Sequence, residues 1–444
     1  MLDLARENPR DHLALRLMSD AGLRREEVVY LQVKNISGNT IRIRGKGDKD
    51  RTVPMTSELA EAIKPITQYM KPHDLRHAFA TRLLERGVPL RMVQELMAQG
   101  MREGAVGFST GLDYFPCRYS NEEELIKICE VVAEFNGVSV WHSRRRDLGL
   151  MESFQEVVRV AQKTGVKAHF SHYAVSDLEN KGKSVEMLAL IDEARANGID
   201  ITFDSYPYIA QSTLLLLFLP RWVHEGGPDA ILERLSNSET KEKICTDIRS
   251  KNIPWDKVVL TCVPSAKNSI YVGQTILGAA EMAGKEVVEF VCDLLQEEEL
   301  AVGHLGLLGN EEDLQRIMKH PCHMSGSDGI LVGDRPNPRA WGTFPRYIAR
   351  YSRELGVLSL EEVIRHIATA PAQRLGLHDR GLVKEGLAAD LVVFNPETVA
   401  DKATFEEPKQ YPVGIDYVLV NGTVVVDKGK HTGVLKGRAL LNIN

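Results

Sequence analysis

From residue 104 onward, short apolar runs alternate with stretches whose apolar positions recur every three or four residues. Runs of the first kind at Ala105–Ser109, Val138–His142, Val166–His172 and Ile199–Asp204 predict strands. Between them, Ser120-Asn-Glu-Glu123 reads as a capping box opening a helix to about Phe135. Glu152–Thr164 and Ser184–Asn197 predict two more helices, the second stopped by Gly198. Such alternation predicts a parallel sheet with helices outside, as in a (β/α) barrel. From about Gly376 the pattern becomes all-β. Asp390–Phe394 reads as a strand, and Tyr417–Val420 and Thr423–Val426 flank Asn421-Gly422, a type I′ hairpin signal. Residues 1–97 read instead as helix, hairpin, helix. Val33–Ile43 alternates like a strand, Arg51–Pro54 can pair back across residues 45–48, and Ser57–Tyr69 and Leu75–Arg86 have helical period.

A chain of 444 residues should hold two or three domains. The expected divisions are 1–97, 98–375 and 376–444. With 43% hydrophobic and 26% charged residues, the composition is that of an ordinary globular protein. The net charge of −6 gives no global attraction to nucleic acid or anionic membrane. The balance is uneven: residues 1–97 carry 17 Lys and Arg against 13 Asp and Glu, the remainder 38 against 48. Six cysteines lie far apart with no CxxC pair, which suits reduced thiols and a cytoplasmic location. The longest apolar run, Thr213–Pro220, falls well short of the ~20 residues that cross a bilayer, so no membrane partner is expected.

Candidate chemistry gathers at strand ends. His142 and His172 each close an expected strand, 30 residues apart, one βα repeat. In a barrel such residues face one mouth, and two imidazoles there suit zinc; the alternative is a pair of packed structural histidines. Asp328 sits in Ser325-Gly-Ser-Asp-Gly329. Flanking glycines leave its carboxylate open to act as a general base, or the residue is a turn aspartate bonded to its own backbone.

These residues fall within a longer pattern. Met101-Arg-Glu-Gly-Ala-Val-Gly-Phe-Ser-Thr-Gly-Leu-Asp-Tyr114, Trp141-His-Ser-Arg144, Phe170-Ser-His172, Asp204-Ser-Tyr-Pro-Tyr208, Gly326-Ser-Asp-Gly329, Pro338-Arg-Ala-Trp-Gly-Thr-Phe-Pro-Arg346, Ala389-Asp-Leu-Val-Val-Phe394 and Val420-Asn-Gly422 occur in order over more than 300 residues. Together they resemble the N-acyl-D-amino-acid deacylases of the metal-dependent amidohydrolase superfamily. The resemblance implies a partial TIM-type (β/α) barrel with part of a β-sandwich at its C-terminal end. It implies zinc held by His142 and His172, and Asp328 as the catalytic base. It also implies that Tyr206, Ser212 and Arg339 hold the scissile carbonyl and the carboxylate of an N-acyl-D-amino acid.

The chain departs from that pattern. The family's H-x-H strand and the cysteine that completes its zinc site have no counterpart before His142 and Cys117, so the early barrel strands are expected to be absent. Arg146 stands where the family often has Glu, Ala174 where it often has Lys, and Asn337 where it often has His. Residues 1–97 resemble instead a catalytic fragment of a tyrosine recombinase, through Ala21-Gly-Leu-Arg24, Gly45-Lys-Gly-Asp-Lys-Asp-Arg-Thr-Val-Pro54 and His73-Asp-Leu-Arg-His-Ala-Phe-Ala-Thr81. That resemblance implies Arg24, Lys46, His73 and Arg76 around a DNA phosphate, but the helical insert and nucleophilic tyrosine of the family are missing. Three readings stand: a deacylase with an impaired metal site, a non-catalytic chimera, and a protein with weak DNA contact through residues 1–97.

Overall fold

The computed structural model describes residues 36–37, 40–44, 50–54 and 90–441. The chain divides into two compact units, residues 1–79 and 80–444. In the first, β1 (Ile36–Ser37), β2 (Thr40–Arg44) and β3 (Asp50–Pro54) form an antiparallel sheet in that order. The expected β2–β3 hairpin is present, with Arg44 opposite Asp50. Within the strand expected over Val33–Ile43, the described residues form two strands paired antiparallel with each other, Ile36 opposite Ile41 and Ser37 opposite Thr40. The helices expected at Ser57–Tyr69 and Leu75–Arg86, and Arg24, Lys46, His73 and Arg76, lie outside the described residues.

The second unit is α/β. Its main sheet is parallel, built from β4 (Gly107–Gly111), β5 (Val138–His142), β6 (Lys167–Phe170), β7 (Ile201–Ser205) and β11 (His323–Ser325), in the order β11-β7-β6-β5-β4. Among the described residues β4 and β11 are its edges, and the sheet does not close on itself. Helices Glu122–Glu134, Leu150–Thr164 and Ser184–Ala196 connect successive strands. Their apolar stripes and the strands form one core around Trp141, Phe154, Phe170, Tyr173 and Phe203. Strand β5 begins and ends at the residues expected, and the other strands lie within two residues at most boundaries, since each apolar run must be buried on both faces of the sheet.

The first connecting helix corrects one expectation. Its N-cap is Asn121, not Ser120: the Asn121 side chain accepts from the Glu124 N–H at 2.9 Å, and the Glu124 carboxylate accepts from the Asn121 N–H at 3.1 Å. Ser120 instead closes a 3-10 turn over Cys117–Tyr119. Serine and asparagine cap about equally well, so the frame was set by the preceding turn. Replacing Asn121 by alanine should cost about 1 kcal/mol of stability, and Ser120→Ala clearly less, in a denaturant titration. Equal losses would put the cap back at Ser120.

Between β7 and β11 the chain builds an inserted layer with its own core. There β8 (Gln211–Leu214), β9 (Val258–Cys262) and β10 (Gly303–Gly306) form an antiparallel sheet in the order β8-β10-β9. The C-terminal sheet is a single antiparallel layer of β12 (Leu391–Phe394), β13 (Ile415–Val420), β14 (Thr423–Asp427) and β15 (Lys430–His431). Asn421 and Gly422 both have positive φ, 48° and 74°, as a type I′ turn requires. No helix among the described residues is long and apolar enough to cross a membrane.

Candidate functional site

Each residue singled out from the sequence, apart from Ser212 and Arg339, lies at or just beyond the C-terminal end of a parallel strand. His142 ends β5, His172 follows β6, Tyr206 follows β7 and Asp328 follows β11. Ser212 comes from β8 and Arg339 begins helix Arg339–Arg346. Carboxyl ends of parallel strands are where α/β sheets bind ligands. All six line one cavity of about 1390 Å³.

Two of them hold strained backbones. His172 and Asp328 have φ of 40° and 45°, in the left-handed region that side chains rarely adopt. Asp204 holds the first in place: its Oδ1 accepts from the His172 N–H at 2.8 Å, and its Oδ2 lies 2.9 Å from His169 Nε2. Gly326 lets the loop after β11 approach that carboxylate, since a Cβ there would stand 2.8 Å from Asp204 Oδ1. A Cβ on Gly329 would meet Ala340 at 3.1 Å. The Gly-Ser-Asp-Gly pattern is therefore a close fit between loop, strand β7 and the helix bearing Arg339.

Arg339 is 1% exposed, with its guanidinium carbon 4.4 Å from the centre of the Tyr206 ring. Its Nη2 lies 2.7 Å from Asp328 Oδ2 as an ion pair, yet none of its side-chain nitrogens makes a well-aligned hydrogen bond. Buried Asn337 fixes the start of this helix, accepting from the Arg339 N–H and donating to the Ala210 carbonyl, both at 3.1 Å. The Asp328 pKa is raised, chiefly by desolvation within the cavity and further by Asp204, while Arg339 and Arg146 oppose the shift. Burial raises the pKa of Tyr206. The Ser212 hydroxyl donates to the His304 carbonyl at 3.0 Å.

The two histidines meet. Their ring centres are 4.7 Å apart, with His142 Nδ1 2.9 Å from His172 Nε2. Burial, then Arg146, lowers the His142 pKa to about 3, and the same two causes come first in holding His172 well below its ordinary value. Both rings are therefore neutral, as a ligand imidazole must be. A zinc site commonly takes at least three protein ligands. Among the described residues no three His, Cys, Asp or Glu side chains are placed to hold a metal ion. Cys117 is packed in the core, and Cys262 lies on the cavity wall. The donors present do not complete a zinc site.

Sequence reasoning missed the support around these rings. Tyr114 stands 4.9 Å from His142, with its hydroxyl 2.7 Å from the Thr213 hydroxyl. Arg146 contacts His172 Nδ1. The run Arg144-Arg145-Arg146 directly after a strand end was the available signal for a cationic rim.

A histidine pair, an aspartate and a buried arginine thus meet in one cavity at the carboxyl edge of a parallel sheet. Residues 48–426 match the amidohydrolase family, and the chain belongs to it. Over 348 residues it is 33% identical to D-aminoacylase of Alcaligenes xylosoxydans xylosoxydans, covering 78% of this chain and 64% of that relative. The N-acyl-D-glutamate deacylase of Bordetella bronchiseptica, solved with zinc and a phosphonate mimic of the tetrahedral intermediate, superposes with a TM-score of 0.64 at 32% identity, over 76% of this chain and 63% of that one. The chain thus spans a little under two thirds of these relatives. Residues 1–70 match the phage integrase family. The tyrosine recombinase of Pseudothermotoga lettingae is 33% identical over 22% of this chain and 48% of its own length.

Proposed function

We propose that the cavity receives N-acyl-D-amino acids for amide hydrolysis, with the substrate-holding half of the site complete and the metal half incomplete. Arg339 carries this reading. A guanidinium is always charged, and burying its donors without aligned acceptors is costly. A substrate carboxylate would satisfy two of them side by side. Tyr206 and Ser212 then bring hydroxyls toward the acyl carbonyl, and Asp328 accepts the proton of the attacking water. His142 and His172 are the remnant of a zinc pair, on a parallel sheet that is part of a TIM-type barrel. The six separated cysteines suit work in the cytoplasm. The recombinase-like segment supports no second reading, since its phosphate-binding candidates lie outside the described residues.

Isothermal calorimetry without added metal tests this reading. N-acetyl-D-methionine should bind at least tenfold more tightly than the analogue lacking its carboxylate, since a charged hydrogen bond contributes about 1.5–3 kcal/mol. Equal affinities would sink the assignment of Arg339.

A further inference from the structure

The proton positions on the histidine pair can be read from Arg146. Its guanidinium reaches His172 at three points: Nη2 on the ring Nδ1, and the carbonyl at 3.3 Å from Nη1 and 3.4 Å from Nη2. A guanidinium only donates hydrogen bonds. His172 Nδ1 therefore faces a donor and acts as the acceptor, which leaves Nε2 as the ring nitrogen that carries hydrogen. That nitrogen faces His142 Nδ1 at 2.9 Å and donates to it. The His142 proton is then on its own Nε2, which is buried without a partner. One arginine thus sets both tautomers. It is also held in position, because buried Asn180 donates to the Arg146 and Asp147 carbonyls at 2.9 and 3.0 Å.

We infer that Arg146 is a tautomer lock that withholds the inner nitrogen of His172 from a metal ion. Ligation between the two rings needs a lone pair on His172 Nε2, where the lock leaves a proton. Freeing it requires the proton to move to Nδ1 and meet an acceptor there, since metal-bound histidines donate their other N–H to a carboxylate, carbonyl or water. Arg146 offers donors and a positive charge at that place. Its charge also opposes a dication at the pair. Among the described residues Arg146 makes no ion pair within 4.0 Å, although Asp113 and Asp328 of the same cavity attract it. The inference rests on reading His142 and His172 as a metal pair, and it adds a second cause of weak zinc binding that one side chain controls.

Four proteins test it: the natural chain, R146E, R146Q and R146K. Glutamate and glutamine supply an acceptor, whereas lysine only donates. Nitrogen-15 NMR of the imidazoles reports the tautomer, and competition with a chromophoric chelator reports zinc affinity. The natural chain and R146K should show His172 protonated on Nε2 and bind zinc weakly. R146E and R146Q should show it protonated on Nδ1 and bind zinc roughly 10–100-fold more tightly. Adding His172→Ala should remove that gain. An Nδ1–H tautomer in the natural chain overturns the lock, and so does equal zinc affinity across all four. A gain in R146E alone overturns it too, since the glutamate would then be acting as a ligand. Carboxylate binding at Arg339, measured without zinc, stands or falls separately.

Discussion

Replacing Arg339 by methionine is expected to weaken N-acetyl-D-methionine binding by roughly a hundredfold or more. Two hydrogen bonds to a charged group contribute about 3 kcal/mol together at the low end, and each 1.4 kcal/mol is about a factor of ten in affinity. Methionine keeps much of the length and apolar stem, but it also removes the ion pair to Asp328, so circular dichroism should first show that the variant folds. Lysine at the same position keeps the charge without the planar fork and should fall between the two. The substitution has a second consequence. Arg339 holds the Asp328 pKa down against desolvation, so in Arg339→Met that carboxyl should titrate at still higher pH. Unchanged affinity in Arg339→Met would remove the carboxylate from this end of the cavity.

Turnover is the second large effect. The natural chain with added zinc is expected to release little or no D-methionine from N-acetyl-D-methionine, because the metal that would activate water lacks a full ligand set. Any hydrolysis that remains needs Asp328 as its base. A positioned base contributes about 10²–10⁴-fold, so Asp328→Asn should reduce the residual rate by that order. A base acts only when deprotonated, and the Asp328 pKa is raised. The residual rate should therefore climb with pH through a midpoint above the ordinary carboxylate value of about 4. Robust turnover abolished by both Asp328→Asn and His172→Ala would show that the site is complete and overturn the impaired reading.

Much of the α/β body was legible along the chain because it rests on local physics. An apolar run buried on two faces of a parallel sheet is a strand whatever surrounds it, so Val138–His142 could be bounded from sequence alone. Asn421-Gly422 needs positive φ at both positions, which few other dipeptides accept. Gly198, at φ 81°, ends its helix for the same reason. The placement of His142 and His172 at strand ends followed from periodicity, Asp328 stood out by its flanking glycines, and the recurring motifs pointed to the family.

What only the tertiary structure decided depends on atoms distant in sequence. The frame of the helix after Ser120 was open, since Ser120 and Asn121 cap alike, and a 3-10 turn before it chose Asn121. Which strands form the edges of the parallel sheet, β4 and β11 among the described residues, is a matter of strand order, which no single strand encodes. The resemblance implied a role for Arg339 but not its burial, which its enclosure by Tyr206 and Asp328 in the fold decided. Asp204 lies 32 residues from His172, and its hold on that backbone could not be seen in either segment alone. Arg146 was legible only as a charge out of pattern. Its meaning came from standing against the one ring nitrogen whose hydrogen bond sets the protons of both histidines, a relation of direction and distance that exists only in the folded chain.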